Sequence, residues 1–343
     1  MTQDRQELER TAREMVAEGK GILAADESNK TMTKRLDSVG AESTEETRRR
    51  FRELLVTTPG VEEHISGVIL YDETIRQAAT DGTPFPALLA GLGMIPGIKV
   101  DTGAKPLAGA DEETVTEGLD GLRERLAEYR ELGARFAKWR AVISIGDGRP
   151  SRYCIATNAH ALARYAALCQ EAGIVPIVEP EVLMDGEHSV ATSEQTTSAT
   201  LRAVFAELAD QRVLLEGIVL KPNMVLAGYE CSEQAGVEEV AERTLRMLRR
   251  AVPAAVPGIA FLSGGQSDEL ASAHLNAMNA LGGAPWELSF SYGRALQAAP
   301  LKAWAGDESN ADAAQAAFAH RARCNGEARF GRYSEAVEQA VAA

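Results

Sequence analysis

The seven residues Gly217-Ile218-Val219-Leu220-Lys221-Pro222-Asn223 hold the main clue to the fold of this chain. The aliphatic run leads directly into Lys221, and Pro222 cannot continue a central strand because it lacks a backbone N–H. The pattern predicts a buried strand whose carboxyl end carries a lysine. A buried ammonium is costly unless it is paired or loses its proton, and the deprotonated amine is a nucleophile toward carbonyl groups. A lysine that buries only its stem and extends its amine into solvent is the alternative.

Similar apolar runs alternate with longer amphipathic stretches along the whole chain. Helical patterns include Glu117–Leu132 and Ala156–Ala172, the second capped by Asn158 or Thr157 and ended by Gly173. Strands that alternate with helices predict parallel βαβ units. The predicted strands are Gly21–Ala25, Gly67–Tyr71, Ile98–Val100, Ala141–Ser144, Val175–Glu179, Gly217–Lys221, Ile259–Ser263 and Leu288–Ser291.

The spacing of polar residues at these runs predicts an α/β fold, a closed (β/α)8 TIM barrel. Lys138 lies 41 residues before Glu179, Glu179 lies 42 before Lys221, and Lys221 lies 42 before Ser263. This is the length of one βα unit in a barrel of this size. A doubly wound sheet is the alternative, but the glycine-rich dinucleotide motif after the first strand is missing.

We expect one domain over residues 1–343, with an N-terminal helix and a C-terminal tail from about residue 306 to 343. Within the tail, Ala313–His320 has a helical pattern. Asn325–Arg332 has none, so we expect the last residues to be mobile.

Composition limits the partners and the compartment. The net charge of −14 argues against binding to nucleic acid or to an anionic membrane, and any phosphate must be bound by a local basic cluster. Four widely spaced cysteines are typical of reduced thiols in a cytoplasmic protein. The histidines show neither HxH nor HExxH spacing, so a protein zinc site is not expected. The charged N-terminus is not that of a signal peptide, and no apolar run is long enough to span a membrane.

If the barrel is correct, its carboxyl-end face collects charged groups, and active sites of such barrels form there. Lys138 would lie two strands from Lys221, with Glu179 on the strand between them. A second ammonium disfavours the protonated form of Lys221, and a carboxylate between two amines can shuttle the proton that imine formation requires. A structural ion pair between Lys138 and Glu179 is the alternative.

Two anion sites are predicted on this face. Ser263, Gly264 and Gly265 precede a helix start near Ser267, so their backbone N–H groups could cradle a phosphate with Arg294 as its charged partner. A simple glycine turn is the alternative. The groups that could hold a second phosphate, unless they are merely exposed basic residues, are Ser28, Lys34, Arg35 and Lys99.

Seven segments in order resemble the class I, Schiff-base fructose-1,6-bisphosphate aldolases. Each segment alone is a modest signal, but together they are highly specific. They are Gly19–Ser28, Gly97–Asp101, Phe136–Arg140, Ile177–Glu181, Leu220–Met224, Phe261–Ser267 and Phe290–Gln297.

The resemblance implies a role for each matched residue. Lys221 forms the imine, Glu179 is the general acid/base, Lys138 assists at the carbinolamine, and Asp26 holds the C4 hydroxyl. The residues implied for the C1 phosphate are Ser263, Gly264, Gly265 and Arg294. Those implied for the C6 phosphate are Ser28, Lys99, Arg35 and Arg140. Glu181 is expected to contact these site residues rather than the substrate. A protonated imine is itself an electron sink, so no metal or cofactor is expected.

Two departures from the family pattern stand out. Animal-type members end in a tyrosine that assists proton exchange at the enamine, whereas Tyr333 is the aromatic residue nearest the end here, so we expect slower enamine protonation or another proton donor. Asn29-Lys30 replaces the usual Thr-Gly pair, which affects the second phosphate site.

The resemblance implies a cytoplasmic aldolase of glycolysis and gluconeogenesis, acting on sugar phosphates as a homotetramer. It would split fructose 1,6-bisphosphate reversibly into dihydroxyacetone phosphate and glyceraldehyde 3-phosphate. The alternatives are another Schiff-base barrel enzyme, such as one with transaldolase activity, and a scaffold without activity. Two phosphate sites argue against the first, and the four catalytic candidates argue against the second.

Overall fold

The structure, a computed structural model, describes residues 2–340 and contains a closed barrel of eight parallel strands. The strands within these residues are β1 Gly21–Ala24, β2 Ile65–Leu70, β3 Ile95–Lys99, β4 Gly103–Pro106, β5 Thr114–Glu117, β6 Phe136–Ile143, β7 Val175–Val182, β8 Val219–Leu220, β9 Gly258–Phe261 and β10 Glu287–Tyr292. Around the barrel the order is β1-β10-β9-β8-β7-β6-β3-β2, and β1 pairs with both β10 and β2 to close it. The predicted barrel is confirmed.

Helices connect and surround the strands; α7, for example, packs on β6 and β7. They are α1 Thr2–Met15, α2 Asn29–Asp37, α3 Glu45–Val56, α4 Asp72–Ile75, α5 Phe85–Gly91, α6 Leu122–Glu131, α7 Arg152–Glu171, α8 Val190–Asp210, α9 Val237–Ala251, α10 Asp268–Leu281, α11 Arg294–Trp304, α12 Ala311–Arg329 and α13 Glu335–Gln339. No helix in residues 2–340 has both the length and the apolar character needed to cross a membrane.

Helix α1 packs at the amino-terminal end of the barrel. Its Leu8 and Met15 share an apolar cluster with barrel residues such as Ile69 and Val175. The Ser66 hydroxyl, near the start of β2, donates to the Met15 carbonyl at 2.6 Å. This apolar cluster fills the amino-terminal end of the barrel. The polar side chains of the interior gather at the carboxyl end.

Strand periodicity brings the polar side chains to that end. Alternate residues of a strand face the same side, so Phe136 of β6 places Lys138 on the interior side, and Val175 and Ile177 of β7 do the same for Glu179. β6 and β7 are therefore apolar at their starts and carry Lys138 and Glu179 further along.

Several sequence predictions of local structure were wrong. The pattern at Glu117–Leu132 forms a helix only from Leu122, because Thr114–Glu117 pairs with Gly103–Pro106 as a β-hairpin. Helix α7 begins earlier than predicted: its cap is Ser151, whose hydroxyl accepts the Cys154 N–H at 3.1 Å.

Asn158, one of the predicted caps, is instead buried in that helix, where its amide donates to the Thr114 carbonyl of the hairpin at 2.8 Å. The predicted end is correct, because Gly173 follows α7 with a φ of +68°.

The tail also differs from its prediction. Helix α12 continues to Arg329, so most of the segment expected to be loose is helical. Asn325 is fully buried and its amide donates to the Arg321 carbonyl, which shows that this polar stretch faces protein rather than solvent. The expected mobility of the last residues concerns positions 341–343, which lie outside the described part of the chain.

Candidate active site

A cleft of about 1140 Å³ opens at the carboxyl end of the barrel. All but one of the residues that the sequence predicted for the site line it: Asp26, Ser28, Arg35, Lys99, Lys138, Arg140, Glu179, Glu181, Lys221, Ser263, Gly264, Gly265 and Arg294. Lys34 is exposed and does not line the cleft.

Lys221 directly follows β8 and points into the cleft. Its backbone N–H donates to the Val178 carbonyl at 2.8 Å, which ties the residue to β7. The side chain is only 4% exposed, and its amine lies 3.3 Å from Glu179 Oε1. The alternative of an amine extended into solvent is therefore wrong.

Glu179 stands between the two lysines, as the sequence predicted. Lys138 Nζ approaches the other carboxylate oxygen, Oε2, at 3.5 Å, while Lys221 approaches Oε1. Oε2 is buried and accepts no hydrogen bond from the described residues. A buried acceptor without a partner is one that a substrate hydroxyl or water can use.

Asp26 completes the cluster from the end of β1. Its Oδ2 lies 2.5 Å from Lys138 Nζ. Burial alone would raise the pKa of Asp26, but the charges of Lys138 and Lys221 and the hydrogen bond from Lys138 overcome burial and lower it to about 2. Asp26 is therefore ionised at neutral pH and able to accept a hydrogen bond or a proton.

The same pairing keeps Lys138 charged. Burial alone would lower the pKa of Lys138, but Asp26, Glu179 and Asp101 raise it well above its usual value. Lys138 is therefore a hydrogen-bond donor at neutral pH. Lys221, by contrast, forms an ion pair with Glu179 alone among the described residues. Lys138 is thus paired with two carboxylates and Lys221 with one.

One part of the cleft combines glycine backbone with a guanidinium group, an arrangement that suits an anion. Gly264 and Gly265 have φ angles of +56° and +89°, which ordinary side chains rarely adopt. A methyl group added at Gly265 would lie 3.3 Å from Arg294 Nη1, so the backbone and the guanidinium face the same space. Arg294 begins α11, whose amino end adds a partial positive charge.

Another part of the cleft wall carries basic groups that are already paired. Lys99 Nζ lies 2.7 Å from Asp101 Oδ1, and Arg35 Nη1 lies 2.5 Å from Glu27 Oε1. Ser28 caps α2 by accepting the Thr31 N–H. An anion bound here must compete with the carboxylates that hold these cations.

At the rim, Arg140 Nε bonds the Glu181 carboxylate. The Arg140 side chain is 41% exposed, whereas that of Glu181 is 7% exposed. Glu181 thus orients the guanidinium toward the opening.

Tyr229 is a cleft residue that the sequence pattern did not predict. Its hydroxyl donates to the Gly264 carbonyl and lines the cleft beside Gly265. It lies on the loop after β8, and loops that follow barrel strands carry active sites, but its place in the sequence does not show whether its side chain enters the cleft. Ser291, on β10, is a second addition, with a buried hydroxyl that has no partner in residues 2–340.

Comparisons with known proteins agree with this geometry. Residues 7–343 match the family described as "Glycolytic: Fructose-bisphosphate aldolase class-I". A Xanthomonas campestris protein named "Probable fructose-bisphosphate aldolase class 1" is 60% identical over 329 residues, covering 96% of this chain and 98% of the relative. The chain belongs to the class-I fructose-bisphosphate aldolases.

Two further relatives of this aldolase family extend the match. "Fructose-bisphosphate aldolase 6, cytosolic" of Arabidopsis thaliana is 55% identical over 316 residues, covering 92% of this chain and 88% of the relative. The fructose-bisphosphate aldolase of Plasmodium falciparum, solved in complex with TRAP and a small-molecule inhibitor, superposes with a TM-score of 0.96 at 49% identity, over 97% of each chain. The family is one of carbon–carbon lyases.

Of the residues named in the two departures from the aldolase pattern, those that the structure describes do not line the cleft. Asn29 donates to Glu73 Oε2 at 3.0 Å, Lys30 is exposed, and neither lines the cleft. Tyr333 donates to Glu338 Oε2 at 2.6 Å and does not line it either. Within residues 2–340, the hydroxyl groups on the cleft wall therefore come from other residues, among them Tyr229 and Ser291.

Proposed function

We propose that this aldolase cleaves fructose 1,6-bisphosphate reversibly through an imine on Lys221. The observation that carries the proposal is the Lys221 amine, buried in the cleft and 3.3 Å from the Glu179 carboxylate. A carboxylate at this distance can take the ammonium proton and leave a neutral, nucleophilic amine.

The first stage forms the imine. The Lys221 amine attacks the C2 carbonyl, and the extra proton on the attacking nitrogen then passes to the resulting alkoxide, which gives a neutral carbinolamine. Glu179 protonates the departing hydroxyl, which leaves as water while the nitrogen lone pair forms the protonated imine. Lys138, held charged by Asp26, donates a hydrogen bond to the carbinolamine oxygen.

The second stage breaks the C3–C4 bond. Ionised Asp26 takes the proton of the C4 hydroxyl as the C4 carbonyl forms, and the electron pair of the C3–C4 bond moves into the protonated imine to give an enamine. Glyceraldehyde 3-phosphate leaves. Protonation at C3 and hydrolysis of the imine then release dihydroxyacetone phosphate and regenerate the amine.

Two basic parts of the cleft wall suit a substrate with two phosphates. We assign the C1 phosphate to Ser263, Gly264, Gly265 and Arg294, because positive-φ backbone and a guanidinium meet there. We assign the C6 phosphate to Ser28, Arg35, Lys99 and Arg140, which supply further cations and a hydroxyl group to the cleft wall.

Borohydride trapping tests this mechanism. Reduction in the presence of substrate should fix a covalent adduct on Lys221, identified by mass spectrometry, and Lys221→Ala should lose both the adduct and turnover. Turnover that survives Lys221→Ala, or that EDTA abolishes, would contradict the imine mechanism. Equal rates with fructose 6-phosphate would indicate a transaldolase-type enzyme instead.

We also propose that the protein acts in the cytoplasm, in glycolysis and gluconeogenesis, as a homotetramer. The cytosolic relative from Arabidopsis supports the compartment. The tetramer rests on family resemblance alone, and sedimentation equilibrium of the purified protein would test it.

A further inference from the structure

A cluster of three metal-ligating side chains lies on the C-terminal helices. His320 and Cys324 are one turn apart on α12, and Glu338 reaches them from α13. We propose that His320, Cys324 and Glu338 bind a zinc ion that fastens α13 to α12. None of the three lines the cleft, so this inference does not depend on the proposed catalytic mechanism.

Both separations that involve His320 fit zinc. Cys324 Sγ lies 3.6 Å from His320 Nε2, and Glu338 Oε1 lies 3.5 Å from the same nitrogen. All three ligand atoms are within 4.8 Å of one another. Bonds of about 2.3 Å to sulfur, 2.1 Å to nitrogen and 2.0 Å to oxygen separate tetrahedral ligands by about 3.4–3.6 Å. Water would occupy the fourth position.

The donor set favours zinc over other common cations. Magnesium and calcium prefer oxygen ligands, whereas a thiolate with an imidazole and a carboxylate suits zinc. Cys324 is fully buried, while the side chains of His320 and Glu338 are 21% and 23% exposed. The thiolate is thus shielded from solvent, and the metal has a path of entry from the side of the other two ligands.

Neighbouring groups hold the carboxylate in place. Glu338 Oε2 accepts from the Tyr333 hydroxyl at 2.6 Å and from Arg321 Nη2 at 3.0 Å, and these bonds can remain when Oε1 binds zinc. Arg321 also bonds Oε1, and zinc would replace that one contact. Binding releases the Cys324 thiol proton, so one thiolate and one carboxylate would bind the ion.

His320, Cys324 and Glu338 do not form a recognisable zinc motif in the sequence. A His-x3-Cys pair places both side chains on one helix face, but it needs a third ligand from elsewhere. Glu338 follows Cys324 by 14 residues and reaches the pair only because the chain reverses between α12 and α13.

Competition with a chromophoric zinc chelator tests the proposal. The full-length protein, first stripped of metal, should bind one zinc per chain, and His320→Gln and Cys324→Ser should each weaken binding at least tenfold. His160→Gln and Cys231→Ser, which change the same residue types elsewhere, should bind zinc as the parent protein does. Cobalt in place of zinc should give a thiolate-to-metal charge-transfer band that Cys324→Ser abolishes.

Three results would overturn the proposal: no stoichiometric zinc binding, unchanged binding in His320→Gln, or a cobalt spectrum without the thiolate band. His320 is partly exposed, so its variant keeps the test valid if replacing the buried Cys324 unfolds the protein. Unchanged aldolase turnover without zinc verifies that each variant is folded. Zinc should also raise the melting temperature of the parent protein and not that of His320→Gln.

Discussion

At the residue scale, the proposed chemistry depends on Glu179, the carboxylate that both lysines approach. Replacing it with glutamine keeps the shape but removes proton transfer, which contributes about 10²–10⁴-fold in rate. We expect Glu179→Gln to lower kcat by that factor and to slow borohydride trapping at Lys221. Glu207→Gln, at a partly exposed position outside the cleft, should leave both unchanged. Full turnover in Glu179→Gln would remove Glu179 from the mechanism.

Tyr229 should act on substrate binding rather than on chemistry. Its hydroxyl donates a hydrogen bond to the Gly264 carbonyl. The Gly265 N–H lies in the same peptide plane as that carbonyl, so the bond also fixes the direction of the N–H. We expect Tyr229→Phe to raise KM for the bisphosphate and the inhibition constant of inorganic phosphate by several-fold, which corresponds to about 1 kcal/mol for one hydrogen bond. The value of kcat should change little.

Tyr153→Phe is the matched control, because its hydroxyl bonds a carbonyl outside the cleft. If kcat alone falls in Tyr229→Phe, or if both tyrosine variants behave like the parent protein, Tyr229 does not position the anion site.

The sequence predicted the cleft residues that lie within or directly after barrel strands, because position along a strand determines which way a side chain points. Lys138, Glu179 and Lys221 follow from spacing alone. Tyr229 does not, since it lies eight residues beyond Lys221 in an irregular segment whose path only tertiary contacts determine. The ion pairs of Lys99 with Asp101 and of Arg35 with Glu27 could not be predicted from the sequence either.

At the scale of elements, the barrel interior requires glycine where strands meet large side chains. A methyl group added at Gly97 of β3 would lie 2.2 Å from the Phe136 ring of β6. Overpacking of this kind costs about 1–3 kcal/mol, so Gly97→Ala should lower the urea midpoint accordingly. Gly91→Ala, at the end of α5 with no atom within 4 Å, should be neutral or slightly stabilising. Equal midpoints for the two variants would show that the ring moves aside at no cost.

Elements with strong periodicity were predictable, and those that depend on distant partners were not. The β4–β5 hairpin is half polar, and its Glu113 is held by the Ser151 hydroxyl and N–H from the start of α7. Helix α12 continues past Asn325 because buried polar groups there find partners, such as Arg329 with Glu287 at 2.7 Å. That the whole chain is one domain stays a prediction.

At the scale of the whole molecule, cations in the cleft must attract a substrate that the negative net charge of the chain repels. The chain carries −14, which repels a bisphosphate at long range, whereas the cleft wall has as many lysines and arginines as aspartates and glutamates, eight of each. Binding of the substrate must therefore come from short-range contacts with oriented cations and backbone N–H groups.

Acid should destabilise the whole fold partly through His274. This residue is buried, its Nδ1 lies 2.6 Å from Gln266 Oε1, and burial lowers its pKa to about 4. The unfolded chain binds a proton near pH 6.5, so this contribution is complete above pH 6.5 and is lost as pH falls toward 4. Asp268, whose pKa burial raises to about 6, acts in the opposite direction over the same range.

Comparison with His274→Gln isolates the histidine from Asp268 and from the other groups. The parent protein should lose up to about 3 kcal/mol of unfolding free energy more than His274→Gln between pH 7 and 4, since each unit of pKa shift is worth about 1.4 kcal/mol. Urea unfolding at a series of pH values measures this difference. His160→Gln, at an exposed histidine, should follow the parent curve. Parallel curves for the parent and His274→Gln would mean that His274 takes up its proton in the folded state as readily as in the unfolded chain.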